Sequence, residues 1–192
     1  MNSLADQGIV SGTGGGNYSP KATLTRAAFV TMLAKATLSA TDLSQYTFSS
    51  SFSDVRSSYW GNRYINWAVE TGVANGYEDN TFRPERAVTR QEMAVMASKF
   101  AAQYKDAAVS ASANLAGYAD AGELDSWASE AMSWALSSGV MQAVDGKLSP
   151  KSTVSPGQTR RVWPCGCMSW AAWIWTPSRR WRRTGPRRPS CR

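Results

Sequence analysis

Hydrophobic positions between residues 60 and 104 fall at helical spacing on either side of a polar loop. Trp60, Tyr64, Trp67, Ala68 and Thr71 stand at i, i+4, i+7, i+8 and i+11, which predicts an amphipathic helix with one buried stripe. Gly72 follows as a C-cap candidate, because glycine takes the left-handed backbone that ends a helix without a steric cost. Asn75-Gly76 and Asp79-Asn80 carry turn chemistry, and Pro84 closes the loop. Thr89-Arg90-Gln91-Glu92 then predicts a second helix start. The Thr89 side chain can accept from the Glu92 amide while the Glu92 carboxylate reaches back to the Thr89 amide. Met93, Met96, Ala97 and Phe100 supply the buried stripe of that helix.

The same unit recurs. Gly8 to Gly12 match Gly72 to Gly76 at an offset of 64, and Leu24-Thr25-Arg26 match Val88-Thr89-Arg90 at the same offset. Trp60, Trp67, Ala68 and Gly72 recur as Trp127, Trp134, Ala135 and Gly139 at 67, while Pro84 and Val88 recur as Pro150 and Val154 at 66. One residue is therefore lost from the third loop. The pattern predicts an all-α chain of three tandem helix–loop–helix repeats, over residues 1–36, 52–101 and 118–155. The equivalent of Trp60 in the first copy would precede Met1, so that copy is expected to be partial. Its helix keeps the cap at Thr25 but has Ala28 in place of the box-closing Glu, so its start should be weaker by up to about 1 kcal/mol. The Ser/Thr/Ala-rich connectors, 37–51 and 107–117, are polar enough to be exposed.

Phe52-Ser53-Asp54-Val55, Trp60, Ile65, Ala68, Gly72, Gly76, Phe82-Arg83-Pro84 and Val88-Thr89-Arg90-Gln91-Glu92 together resemble the S-layer homology (SLH) repeat. The resemblance covers most of residues 4–155, and it implies a pseudo-threefold helical assembly of three repeats. It also implies non-covalent anchoring of a surface protein to the bacterial wall. The grooves between repeats would bind a secondary cell-wall polysaccharide, often one bearing pyruvyl ketals. The carboxylate-binding arginine of the family falls on Arg26 and Arg90, whereas the third copy has Pro156 at that position. Arginine suits the role because its rigid fork matches a carboxylate in bidentate fashion. Gly12 and Gly76 would let a sugar approach the loop backbone. Helical spacing favours core packing for all four repeat tryptophans. Trp60 and Trp127, at helix starts, are the pair placed to reach solvent and stack on a sugar.

Composition divides the chain rather than unifying it. Residues 1–150 carry 11 Lys+Arg against 14 Asp+Glu, whereas residues 151–192 carry 10 Lys+Arg and no acid. The formal +7 therefore belongs wholly to the tail. All three cysteines and Trp163, Trp170, Trp173, Trp175 and Trp181 lie there too, with paired arginines and four prolines after residue 159. We read residues 156–192 as out-of-frame coding sequence and expect them to be disordered. The change falls where the third repeat should continue, and a shifted frame of a GC-rich back-translation restores an amphipathic helix. Two alternatives to wall anchoring stand beside it. One is an envelope protein–protein module without a glycan site, and the other is nucleic-acid or anionic-membrane binding by the basic tail.

Catalysis is not expected. The chain has no histidine, which removes His-based triads and zinc sites, and no phosphate-binding glycine loop with its lysine. Asp79 and Asn80 lack EF-hand spacing and read as turn residues, so neither metal nor cofactor is expected. Nucleic acid is not expected as a partner, because the basic charge lies wholly in the tail, and membrane insertion is not expected, since no apolar run is long enough to span a bilayer. The resemblance implies an extracellular, wall-bound location, although residues 1–10 show no signal peptide.

Overall fold

The computed structural model describes residues 23–46, 52–104, 109–110 and 112–154. The first loop with Gly12, and the tail with its expected frame shift, lie outside the described residues. Within them the chain is all-α. The helices are α1 (Arg26–Lys35), the short α2 (Ala40–Leu43), α3 (Asn62–Glu70), α4 (Arg90–Tyr104) and α5 (Ser129–Ser137), with 3₁₀ turns at Ala121–Glu123 and Ser126–Ala128. Extended pairing among the described residues is limited to isolated bridges.

Local chemistry sets the helix ends. Thr25 Oγ1 accepts from the Ala28 amide at 3.2 Å. At α4 the capping box is closed from both sides. The Thr89 amide donates to Glu92 Oε2 at 2.9 Å, and the Glu92 amide donates to Thr89 Oγ1 at 3.4 Å. Gly72 and Gly139 follow α3 and α5 at φ +71° and +73°, the left-handed step predicted from their positions. The helix expected from Trp60 begins two residues later, with Gly61 as its cap. A Cβ at Gly61 would lie 2.8 Å from Tyr59 Cε1, so a larger residue would have to displace that ring, whereas its 3.6 Å approach to Ala27 Cβ on α1 would be an ordinary contact. Trp60 therefore leaves the stripe and stands 57% exposed, while Trp67, Ile65 and Ala68 are fully buried.

The core runs through the repeats rather than within each one. α1 packs on α3 of the next repeat, and α4 packs on α5 of the repeat after that. Phe29, Leu33, Trp67, Phe82, Phe100, Met132 and Leu148 fill the space between them. One residue from each repeat joins a closed ring of backbone hydrogen bonds. Leu24 N donates to Val154 O at 2.8 Å, Val154 N to Val88 O at 3.1 Å, and Val88 N to Leu24 O at 2.8 Å. All three side chains are buried, so the ring fastens the three repeats at one point.

Each of the two described loops is pinned by an aspartate from the start of its own repeat. Asp54 accepts the Phe82 and Arg83 amides at 2.8 and 2.7 Å, and Asp120 accepts the Leu148 and Ser149 amides at the same distances. Arg83 and Ser149 sit at φ +55° and +48°, so the carboxylates hold a backbone step that non-glycine residues disfavour. Asp54→Asn is expected to destabilise the protein by about 1.5–3 kcal/mol, because it removes one charged acceptor from an amide pair. Asp120→Asn should match it. Urea titration of both variants is the check, and a cost below 0.5 kcal/mol at both sites would show that the clamp is passive.

Candidate functional site

The two arginines predicted from the sequence occupy equivalent junctions. Directly after its cap, each reaches into the loop of the following repeat. Arg26 Nε donates to Phe82 O at 3.0 Å and Nη2 to Asn75 O at 3.0 Å. Arg90 Nε donates to Leu148 O at 2.7 Å and Nη2 to Gln142 O at 2.6 Å. Backbone bonds repeat the register. Arg26 N and Ala27 N donate to Arg86 O and Pro84 O, as Arg90 N and Gln91 N do to Ser152 O and Pro150 O. The arginine fork thus holds one repeat against the next before it meets any ligand.

The first junction is densely charged. Arg26 is buried, its guanidinium lying 4.8 Å from the centroid of the Tyr77 ring and 4.9 Å from that of Phe82. Its Nη1 is 3.4 Å from Glu92 Oε1. That same oxygen accepts from Tyr77 at 2.7 Å and from Arg86 Nη1 at 2.8 Å, while Oε2 accepts from the Thr89 amide and hydroxyl. Arg86 also donates to the Tyr77 hydroxyl, and Arg83 lies over the Tyr77 ring at 4.1 Å. Burial pushes the Glu92 carboxyl up, but the Tyr77 and Thr89 bonds and the Arg26 charge outweigh it and hold it below its ordinary value. Burial draws the Arg26 guanidinium down, against the pull of Tyr77 and Glu92.

The second junction is barer. Arg90 is partly exposed and has no carboxylate within ion-pair distance among the described residues. Burial lowers its pKa and the Asp120 charge raises it. The Asp120 oxygens are themselves committed to the loop amides.

Beside each junction stands an exposed indole. Trp60 adjoins Tyr59, whose hydroxyl donates to Glu85 Oε1 at 2.6 Å, and the neighbouring Gly61 abuts Ala27. Trp127, 56% exposed, adjoins Asp125, which accepts from Gln91 at 2.7 Å and faces Lys151 at 3.6 Å. Ala27 and Gln91 are the residues that follow Arg26 and Arg90, so the two tryptophans occupy matching places. At Gly76 the Cβ side of the loop is not open. An added Cβ would clash with the edge of the Phe52 ring, 2.7 Å from Cζ. Sequence reasoning left Tyr77, Arg86 and Asp120 without roles, and it gave Asp54 and Arg83 no function beyond the motif.

The S-layer homology domain profile matches residues 1–30, 51–94 and 117–158, together more than half of the chain. The chain belongs to the S-layer homology domain family. It is 28% identical over 163 residues to an amylopullulanase of Thermoanaerobacterium thermosulfurigenes, covering 83% of this chain and 8% of that protein. It is 33% identical over 89 residues to the middle cell wall protein of Brevibacillus brevis, covering 46% of this chain and 8% of that protein. With the cellulosome-anchoring protein of Acetivibrio thermocellus the identity is 31% over 97 residues, covering 50% of this chain and 22% of the relative. The SLH chain thus spans only a small part of these relatives. SLH domains are wall-binding, cell-surface modules rather than catalytic ones. Among the described residues, no helix is long and apolar enough to cross a membrane.

Proposed function

We propose that this SLH chain anchors a larger protein non-covalently to the bacterial wall by binding an anionic secondary cell-wall polysaccharide, pyruvylated sugars included, at the junctions between repeats. The observation that carries the reading is the duplicated occurrence of a loop-held arginine at a repeat junction and an exposed tryptophan at the start of the next repeat's helix, Arg26 and Trp60 in one case and Arg90 and Trp127 in the other. An exposed indole held by a folded backbone offers a flat apolar face to a sugar ring, and a nearby guanidinium attracts its acidic substituent. Gly12, one repeat earlier than Gly76, would serve the corresponding loop of the first copy.

Co-sedimentation of the chain with purified Gram-positive walls, before and after chemical removal of the secondary polysaccharide, tests this. Wall binding should vanish with the polysaccharide. Trp60→Ala/Trp127→Ala should weaken it at least about tenfold, the equivalent of 1.4 kcal/mol, with an unchanged circular dichroism spectrum. Undiminished binding to stripped walls would instead favour a protein partner on the envelope. Loss of binding on deleting residues 156–192 alone would point to the basic tail.

A further inference from the structure

The two junctions repeat one another in backbone but not in charge, and the difference traces to single residues. At the first, Glu92 already places a carboxylate against Arg26 and Arg86, with both its oxygens fully engaged. At the second, the positions matching Arg83, Arg86 and Glu92 at an offset of 66 are Ser149, Ser152 and Gln158. The aromatic cover is also gone, since Leu148 replaces Phe82 and the shortened loop has no tyrosine. Arg90 spends Nε and Nη2 on two carbonyls, and its Nη1 has no bonding partner among the described residues. The tail cannot supply an acidic side chain, because the chain has no Asp or Glu after Asp145.

We infer that Glu92 acts as a built-in carboxylate that closes the Arg26 junction, leaving the Arg90 junction as the site open to an acidic ligand. This rests on the glycan reading above and divides its two sites by affinity. The physical reason is competition. A ligand carboxylate at the first junction must displace one that is tethered and makes several charge-assisted bonds. At the second it meets a guanidinium with no ion-pair partner among the described residues, where Asp120 acts only from beyond ion-pair distance with its oxygens committed to the loop amides. Replacing Glu92 by glutamine removes the internal charge while keeping an acceptor for the Thr89 amide, so the first junction should become available.

The test is two-dimensional amide NMR with calorimetry on the full chain. The probe is a hexose methyl glycoside bearing a 4,6-linked pyruvate ketal, and its carboxyl methyl ester is the uncharged control. The unmodified protein should bind one equivalent of the acid, with shifts centred on Gln142, Leu148 and Arg90 and no comparable response from the ester. Arg90→Lys should weaken this binding at least tenfold, and Glu92→Gln should raise the stoichiometry to two with new shifts at Asn75 and Phe82. Two equivalents bound by the unmodified chain, or a first junction that stays silent in a folded Glu92→Gln protein, would overturn the inference while leaving glycan binding intact. Saturable binding at neither junction of a folded chain would overturn the glycan reading and this division with it.

Discussion

Arg26→Ala should destabilise the protein by about 3–5 kcal/mol, the cost of removing one partner from a buried charged cluster. Arg26 is 5% exposed, and its guanidinium spans two carbonyls of the next repeat, faces Glu92 and lies over the Tyr77 and Phe82 rings. Alanine leaves both carbonyls and part of the carboxylate without donors in a space that water enters poorly. Lysine keeps the charge but cannot reproduce a fork that bonds Asn75 and Phe82 at once, so Arg26→Lys should recover only part of the loss. Arg90→Ala, without an ion pair and partly exposed, should cost less, about 1.5–3 kcal/mol. Urea titration of the three variants checks the order, and an Arg26→Ala protein as stable as the Arg90→Ala one would refute the cluster's role. A wall-binding assay on Arg26→Ala alone would confuse folding with recognition, which is why the exposed tryptophans make the cleaner binding test.

The cluster also sets a pH dependence. The folded Glu92 carboxyl titrates below its ordinary value of 4.5, so the stability it contributes is complete above that value. It is lost as pH falls through the lower, folded value. Glu92→Gln should therefore flatten the acid limb of a stability–pH profile below pH 4.5 relative to the unmodified chain.

Much of this arrangement was legible in the residues because it depends on local geometry. The capping box at Thr89 and Glu92 and the glycine stops at 72 and 139 are each fixed by a few neighbours, and the structure places them as the spacing predicts. The short α2 was missed although Ser39 and Asp42 cap one another in the same manner, a signal hidden within a polar connector. The arginines show where sequence stops. Their recurrence marks them as important, but only the fold shows that their forks are occupied by loop carbonyls 49 to 58 residues further along the chain. Gly76 is similar. Its place in the motif marks it, but only the fold shows that the side a Cβ would take meets Phe52, 24 residues earlier. The closed ring through Leu24, Val88 and Val154 needed three repeats in register before any one of its bonds had meaning.

The two tryptophans seven residues apart in the second repeat should separate almost completely on mutation. Trp67→Ala should cost about 3–5 kcal/mol, because it deletes a fully buried indole from the centre of the core. Trp67 Nε1 donates to the Tyr104 hydroxyl at 3.1 Å, and its ring meets Phe100 edge-on at 6.5 Å and Tyr104 at 5.7 Å. Tyr104 is in turn stacked on Phe100 at 5.3 Å, so the loss leaves a cavity and an unpaired hydroxyl that neighbours on α4 must absorb together. Trp67→Phe should recover most of the packing but not the hydrogen bond. Trp60→Ala should change stability by less than about 0.5 kcal/mol, since more than half of its surface already faces water. Thermal and urea unfolding of the three variants, read beside wall co-sedimentation, give the decision. Helical periodicity alone puts Trp60 and Trp67 on one buried stripe and predicts similar costs for both. A helix that begins only at Asn62 makes one the keystone of the core and leaves the other free to meet a sugar.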